Sequence, residues 1–141
     1  MKIKLLLTGS LVVLMCSFGF SQNIKVKIQN IKLRYGIVYV ALCNSEENFM
    51  TEKYKELTAR VSPSGEASVD FTKIPKGKYA IRVYHDTDSS GDLTTNLIGT
   101  PEEPFGFSNN PQIRLGPPSF ELASFKLKSD VSLTINLLSV E

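Results

Sequence analysis

From Asn23 onward, apolar and polar residues alternate with a period of two, the spacing that sends successive side chains to opposite faces of a β-strand. Ile24, Val26 and Ile28 alternate with Lys25, Lys27 and Gln29, a half-buried strand whose wet face carries the lysines favoured at sheet edges. Gly36 introduces Ile37 to Cys43, apolar on both faces and therefore read as a central strand. Leu57, Ala59 and Val61, the turn Ser62-Pro63-Ser64-Gly65, and then Ala67, Val69 and Phe71 make a hairpin. Pro75-Lys76-Gly77 turns the chain into a strand from Lys78 to His85 with Tyr79, Ile81 and Val83 on its inward face. Two more alternating runs, Ala123 to Leu127 and Val131 to Leu137, flank a turn at Ser129-Asp130. Between Asn44 and Tyr54 the alternation stops, and a serine followed by glutamates predicts a short capped helix with Phe49 and Met50 turned toward the core.

Seven short strands at nearly regular spacing, with no long amphipathic helix, predict an all-β fold: an antiparallel seven-stranded β-sandwich, immunoglobulin-like or transthyretin-like. The absence of tryptophan and of a cysteine pair argues against a true antibody-type domain. The expected inter-sheet core runs from Ile24, Val26 and Ile28 through Val38, Val40, Val69 and Phe71 to Tyr79, Ile81 and Val83, closing with Phe125, Leu133 and Ile135.

The ends change the picture of where such a domain works. Lys2 and Lys4, an apolar run from Leu5 to Phe20, and small residues before Gln22 predict a signal peptide over residues 1–21, cleaved at Ser21/Gln22. A lipoprotein reading would acylate Cys16, but Met15 stands where such sites want a small residue. The run is shorter than the roughly 20 residues that span a bilayer, so an exported protein without a transmembrane anchor is expected, periplasmic or extracellular. Residues 22–141 then form a single domain. Cleavage removes two lysines of the 16 basic residues and none of the 14 acidic ones, so basic and acidic residues balance and nucleic acid is not an expected partner. It also leaves Cys43 without a disulfide partner, as a small buried hydrophobe at the end of its strand.

The long connection from Asp86 to Phe120 exceeds what a compact domain ordinarily carries without a purpose. No Lys or Arg lies between Arg82 and Arg114, whereas Asp86, Asp88, Asp92, Glu102 and Glu103 all do. Asp86-x-Asp88-x-Ser90-Gly91-Asp92 matches the first half of a calcium loop, with oxygen donors at alternate positions and a glycine at the sharp turn. The second half does not match: Thr94 stands at position nine and Leu97 at position twelve, where a bidentate Glu belongs. Glu102 or Glu103 could bring that carboxylate from further along, or Asn96 an amide oxygen. The candidate calcium ligands are accordingly Asp86, Asp88, Ser90, Asp92 and Asn96. The competing reading is a solvated acidic loop making consecutive turns.

Other chemistry is thinner. His85 is the only histidine, so a His-rich zinc site cannot be assembled. A hydrolase would need His85 beside Ser108 or Cys43, with Asp86 or Asp88 orienting the ring, and no local signature of such a site accompanies them. Phe105-Gly106-Phe107 either stacks on a sugar or peptide, or pins the long loop to the sandwich.

The blocks GKYAIRVYHD, Gly99-Thr100-Pro101-Glu102, GFSNN at 106–110 and GPPSF at 116–120, in that order, resemble the bacterial exported family known as domain of unknown function 2141. The likeness spans essentially all of the chain after residue 21. It departs in the loop, where Asp88 and Ser90 stand for asparagines of the family pattern and Thr94 for its second aspartate. The resemblance brings no activity with it. The expected role is a non-catalytic binding or accessory module acting through residues 86–110 on a protein or glycan; a hydrolase using His85 with Ser108 or Asp86 and a structural envelope protein are the alternatives.

Overall fold

A computed structural model describes Gly19 and residues 21–139. The signal-peptide reading, Cys16 included, thus lies almost wholly outside the described residues. Eight strands fall within them: β1 (Ser21–Gln29), β2 (Ile37–Cys43), β3 (Lys55–Arg60), β4 (Ala67–Pro75), β5 (Gly77–Asp86), β6 (Phe105–Phe107), β7 (Ser124–Leu127) and β8 (Val131–Asn136). A four-residue helix, α1 (Phe120–Ala123), precedes β7. Among the described residues no helix is long and apolar enough to cross a membrane.

The strands form two sheets, β4-β1-β8 and β3-β2-β5-β6, with β7 also on β5. The expectation of an all-β, sandwich-like architecture holds, and the differences are physical. β1 is antiparallel to β4 but parallel to β8, so the sheet is mixed; period-two alternation fixes which face a residue takes, not the direction of its neighbour. Gln22 pairs with Ile74 and Ile24 with Phe71, so β4 carries one extra residue there, a bulge with Lys73 at φ 58°. The segment 47–51 makes turns rather than the expected helix, and only Phe49 of its two apolar residues is buried, Met50 being exposed. Three residues suffice for β6, too short a run for alternation to announce.

Between the sheets lies the main core, including Ile24, Val26, Ile28, Val38, Val40, Phe71, Ile81 and Ile135, with Phe125 and Leu133 packed at its margin. A second apolar cluster covers the outer face of the five-stranded sheet: Ala41, Cys43, Phe49, Ala80, Phe107, Phe120 and Ala123. From Val40 to Cys43, β2 is thereby buried on both faces, which explains its unbroken apolar run.

The free edge of β5 is shared. β7 pairs with Gly77 to Ala80 and β6 with Arg82 to Tyr84. At Ile81, between them, Ser108 takes over: its hydroxyl accepts from Ile81 N–H (2.8 Å) and its own N–H donates to Ile81 O (2.9 Å). The next two residues continue the clasp from left-handed backbone. The Asn109 amide donates to the carbonyls of Leu122 and Ser124, while Asn110 donates to Thr134 O and accepts from Asn136 N–H. Gly106 lets β6 approach β8, since a Cβ there would sit 2.9 Å from Ile135 Cγ2. The GFSNN block is the seam that joins β6, β7 and β8, and it fixes where the preceding acidic loop must return.

Candidate functional site

β5 ends at Asp86, and β6 begins the return of the loop at Phe105. Their register sets Tyr84 opposite Phe105, and His85 N–H donates to Pro104 O (2.8 Å). Extending the same register by two residues brings Glu103 opposite Asp86, on the outer face of the sheet. Asp86, Asp88 and Glu103 converge, their nearest oxygens lying within 4.8 Å of one another. Asp86 and Glu103 are buried and Asp88 is exposed.

Three carboxylates in one place repel, and the loop offers no cation to relieve them. Amides and hydroxyls aimed at their oxygens do so instead. Asp86 accepts from Ser89 N–H (2.7 Å) on one oxygen and Gly91 N–H (3.0 Å) on the other. Ser89 and Gly91 adopt positive φ, which turns both amides inward. Glu103 accepts from the N–H and hydroxyl of Thr87 and from Thr94 N–H, tying both limbs of the loop to one side chain. Asp88 accepts from Ser90 N–H (2.9 Å) and the Thr94 hydroxyl (2.9 Å). The Ser90 side chain foremost, then Thr94, hold the Asp88 carboxyl below its ordinary range. The Ser90 hydroxyl donates to Asp92 O (2.8 Å). Tyr84 donates its hydroxyl to Gly91 O (2.7 Å) and stacks on Tyr39 at 4.8 Å; burial, followed by the negative charge of Glu56, pushes its ionisation far above the ordinary range.

Of the residues expected to hold calcium, Asp86 and Asp88 meet, and the carboxylate that completes the group is Glu103. Asp92 is exposed and is not one of the converging carboxylates. Ser90 lies beside the group through its N–H, which donates to Asp88, while its hydroxyl donates to Asp92 O. Asn96 serves the tip of the loop, its side-chain oxygen accepting from Ile98 and Thr100 N–H. Glu103 was visible in the sequence as a carboxylate two residues before the Phe-Gly-Phe alternation, but its position rests on the β5–β6 register, which a three-residue strand does not advertise.

The other candidates are engaged elsewhere. His85 is fully buried with Nε2 2.6 Å from Tyr35 O, while the Ser108 hydroxyl contacts Ile81 and Ala123; the two share no hydrogen bond. Gly36 makes room for this corner: with φ 83°, it lets the chain pass where a Cβ would lie 2.3 Å from Asp86 O. Phe107 is buried against Phe49, which meets Phe120 edge-on at 5.6 Å, so the aromatic pair pins the loop.

The family model for an uncharacterized protein conserved in bacteria (DUF2141) matches residues 26–135, the span from β1 into β8. No curated protein and no solved structure matches the chain significantly.

Proposed function

The chain belongs to the DUF2141 family of uncharacterized bacterial proteins, and we propose that this member is an exported, non-catalytic binding or accessory module that presents residues 86–110 to a protein or glycan. Its sandwich is of the immunoglobulin-like or transthyretin-like kind, serving as a rigid mount for that loop. A calcium ion held by Asp86, Asp88 and Glu103 orders the loop for binding. The observation that carries this reading is the convergence of three carboxylates within 4.8 Å in a loop region without Lys or Arg. The donors are all hard oxygens, the set that suits calcium rather than zinc. Every oxygen of the three carboxylates except Glu103 Oε1, which accepts twice from Thr87, keeps a second lone pair beyond the amide or hydroxyl it already accepts, and water fills the remaining positions of a six- to eight-coordinate ion.

Extracellular calcium sites bind with dissociation constants of roughly 0.1 to 1 mM. About 1 mM calcium should therefore stabilise the protein by only roughly 0.4 to 1.4 kcal/mol. That is a rise of a few degrees in Tm, larger for calcium than for magnesium and absent in Asp86→Asn/Asp88→Asn. Superimposable melting curves in chelator and in several millimolar calcium would falsify the calcium reading.

A further inference from the structure

Resting on the reading of residues 86–110 as a binding loop, we propose that its partner is a second copy of this chain: at the end of the sandwich carrying that loop, the Leu97-Ile98 tip of one copy docks against the Leu33-Tyr35 loop of the other. Leu97 is 106 % and Ile98 87 % exposed, although both are held in a defined shape. Gly99 N–H donates to Asn96 O and Asn96 N–H to Thr100 O, each at 2.9 Å, and the Asn96 side chain binds two further amides of the turn. Thr95 bridges to Pro101 below. A backbone already ordered at the tip loses little further freedom on docking, so only the two side chains remain to be fixed.

The same end carries a second exposed apolar group, Leu33, Tyr35 and Ile37, joined to the base of the acidic loop by the contact of Tyr35 O with His85. The charges of the two loops are opposite. Exposed Asp88, Asp92 and Glu102 flank the tip, whereas Arg34, whose guanidinium also donates to Ile31 O, lies between Leu33 and Tyr35. An anionic lipid surface would repel the tip, and a second copy offers it an apolar seat beside the positive charge of Arg34. Because tip and seat lie at one end of the molecule, a twofold axis lets each copy insert its tip into the other, closing the assembly as a dimer. A contact of two loops per copy falls at the small end of specific interfaces, so the dimer is weak, with Kd about 0.1 mM.

Sedimentation equilibrium of the purified protein from 5 µM to 0.5 mM tests this. The expected result is a monomer–dimer equilibrium that weakens about tenfold or more in Leu97→Asp and in Tyr35→Asp, weakens with added salt, and is unchanged in Leu115→Asp, an equally exposed leucine in the loop before α1. A monomer throughout, a dimer that survives Leu97→Asp, or equal loss in Leu115→Asp overturns it. So does co-sedimentation of monomer with phosphatidylethanolamine/phosphatidylglycerol vesicles that Leu97→Asp abolishes, which would give the tip to lipid.

Discussion

The N–H of Ile81 donates to the hydroxyl of Ser108 at 2.8 Å, at the point on β5 where the partner strand changes from β7 to β6. A side chain thus fills a place in the ladder that no backbone carbonyl reaches. Both residues are fully buried, so Ser108→Ala leaves an unpaired amide away from water. The expected loss is about 1 to 3 kcal/mol in a urea melt. A loss under about 0.5 kcal/mol would mean that water or a shifted strand replaces the hydroxyl.

The Ile81 side chain points the other way, into the inter-sheet core. Ile81→Ala should cost about 2 to 5 kcal/mol by removing buried methyl groups and leaving a cavity. Leu97→Ala, at the exposed tip, should change stability by less than about 0.5 kcal/mol in the same melt. Comparable losses at the two positions would contradict the assignment of core and surface.

Alternation made β1, β4, β5 and the inward face of the core legible, because burial on one face imposes period two on every strand long enough to repeat it, and the continuous apolar run from Ile37 to Cys43 marked β2. It said nothing of the parallel pairing of β1 with β8, since residues more than 100 apart are brought together by topology alone. Asp86 and Asp88 were legible from their spacing within a few residues. Glu103 joins them through strand pairing across the loop, and the place of Ser108 depends on β5 having two successive edge partners. Both are relationships between segments, which local pattern does not encode.

Cys43 closes β2 with its thiol near the carbonyls of Phe49 (3.7 Å) and Glu52 (3.6 Å). Burial raises its pKa above the ordinary 9.0, outweighing Arg82, whose hydrogen bond and charge act in the opposite direction. A thiol that is both protonated and covered reacts through local opening of the 44–54 segment. At pH 8 its reaction with an aromatic disulfide should run on the order of 100-fold or more slower in the folded than in the urea-unfolded protein. Phe49→Ala, which uncovers this cluster, should accelerate it; an equal rate in the two states would place the thiol at the surface.

Asp88 gives the acidic loop its pH dependence. The Ser90 side chain first, and Thr94 after it, favour the ionised carboxylate, so its pKa is lower in the folded loop than its ordinary 3.8. The folded loop therefore binds this proton less readily than the unfolded chain does. Its contribution is present in full above the unfolded value of 3.8, and is lost as pH falls through the lower folded value. An NMR titration of the Asp88 carboxyl carbon should show a midpoint below 3.8, with the Ser90 and Thr94 amide shifts moving at the same pH. Ser90→Ala and Thr94→Val should each raise that midpoint, the serine change by more, because each removes a donor to the charged form. Calcium near 1 mM should lower it further, since a cation on the carboxylates opposes protonation. A midpoint at or above 3.8 that neither substitution moves would show that Asp88 points into solvent, and that Asp86 and Glu103 close the loop without it.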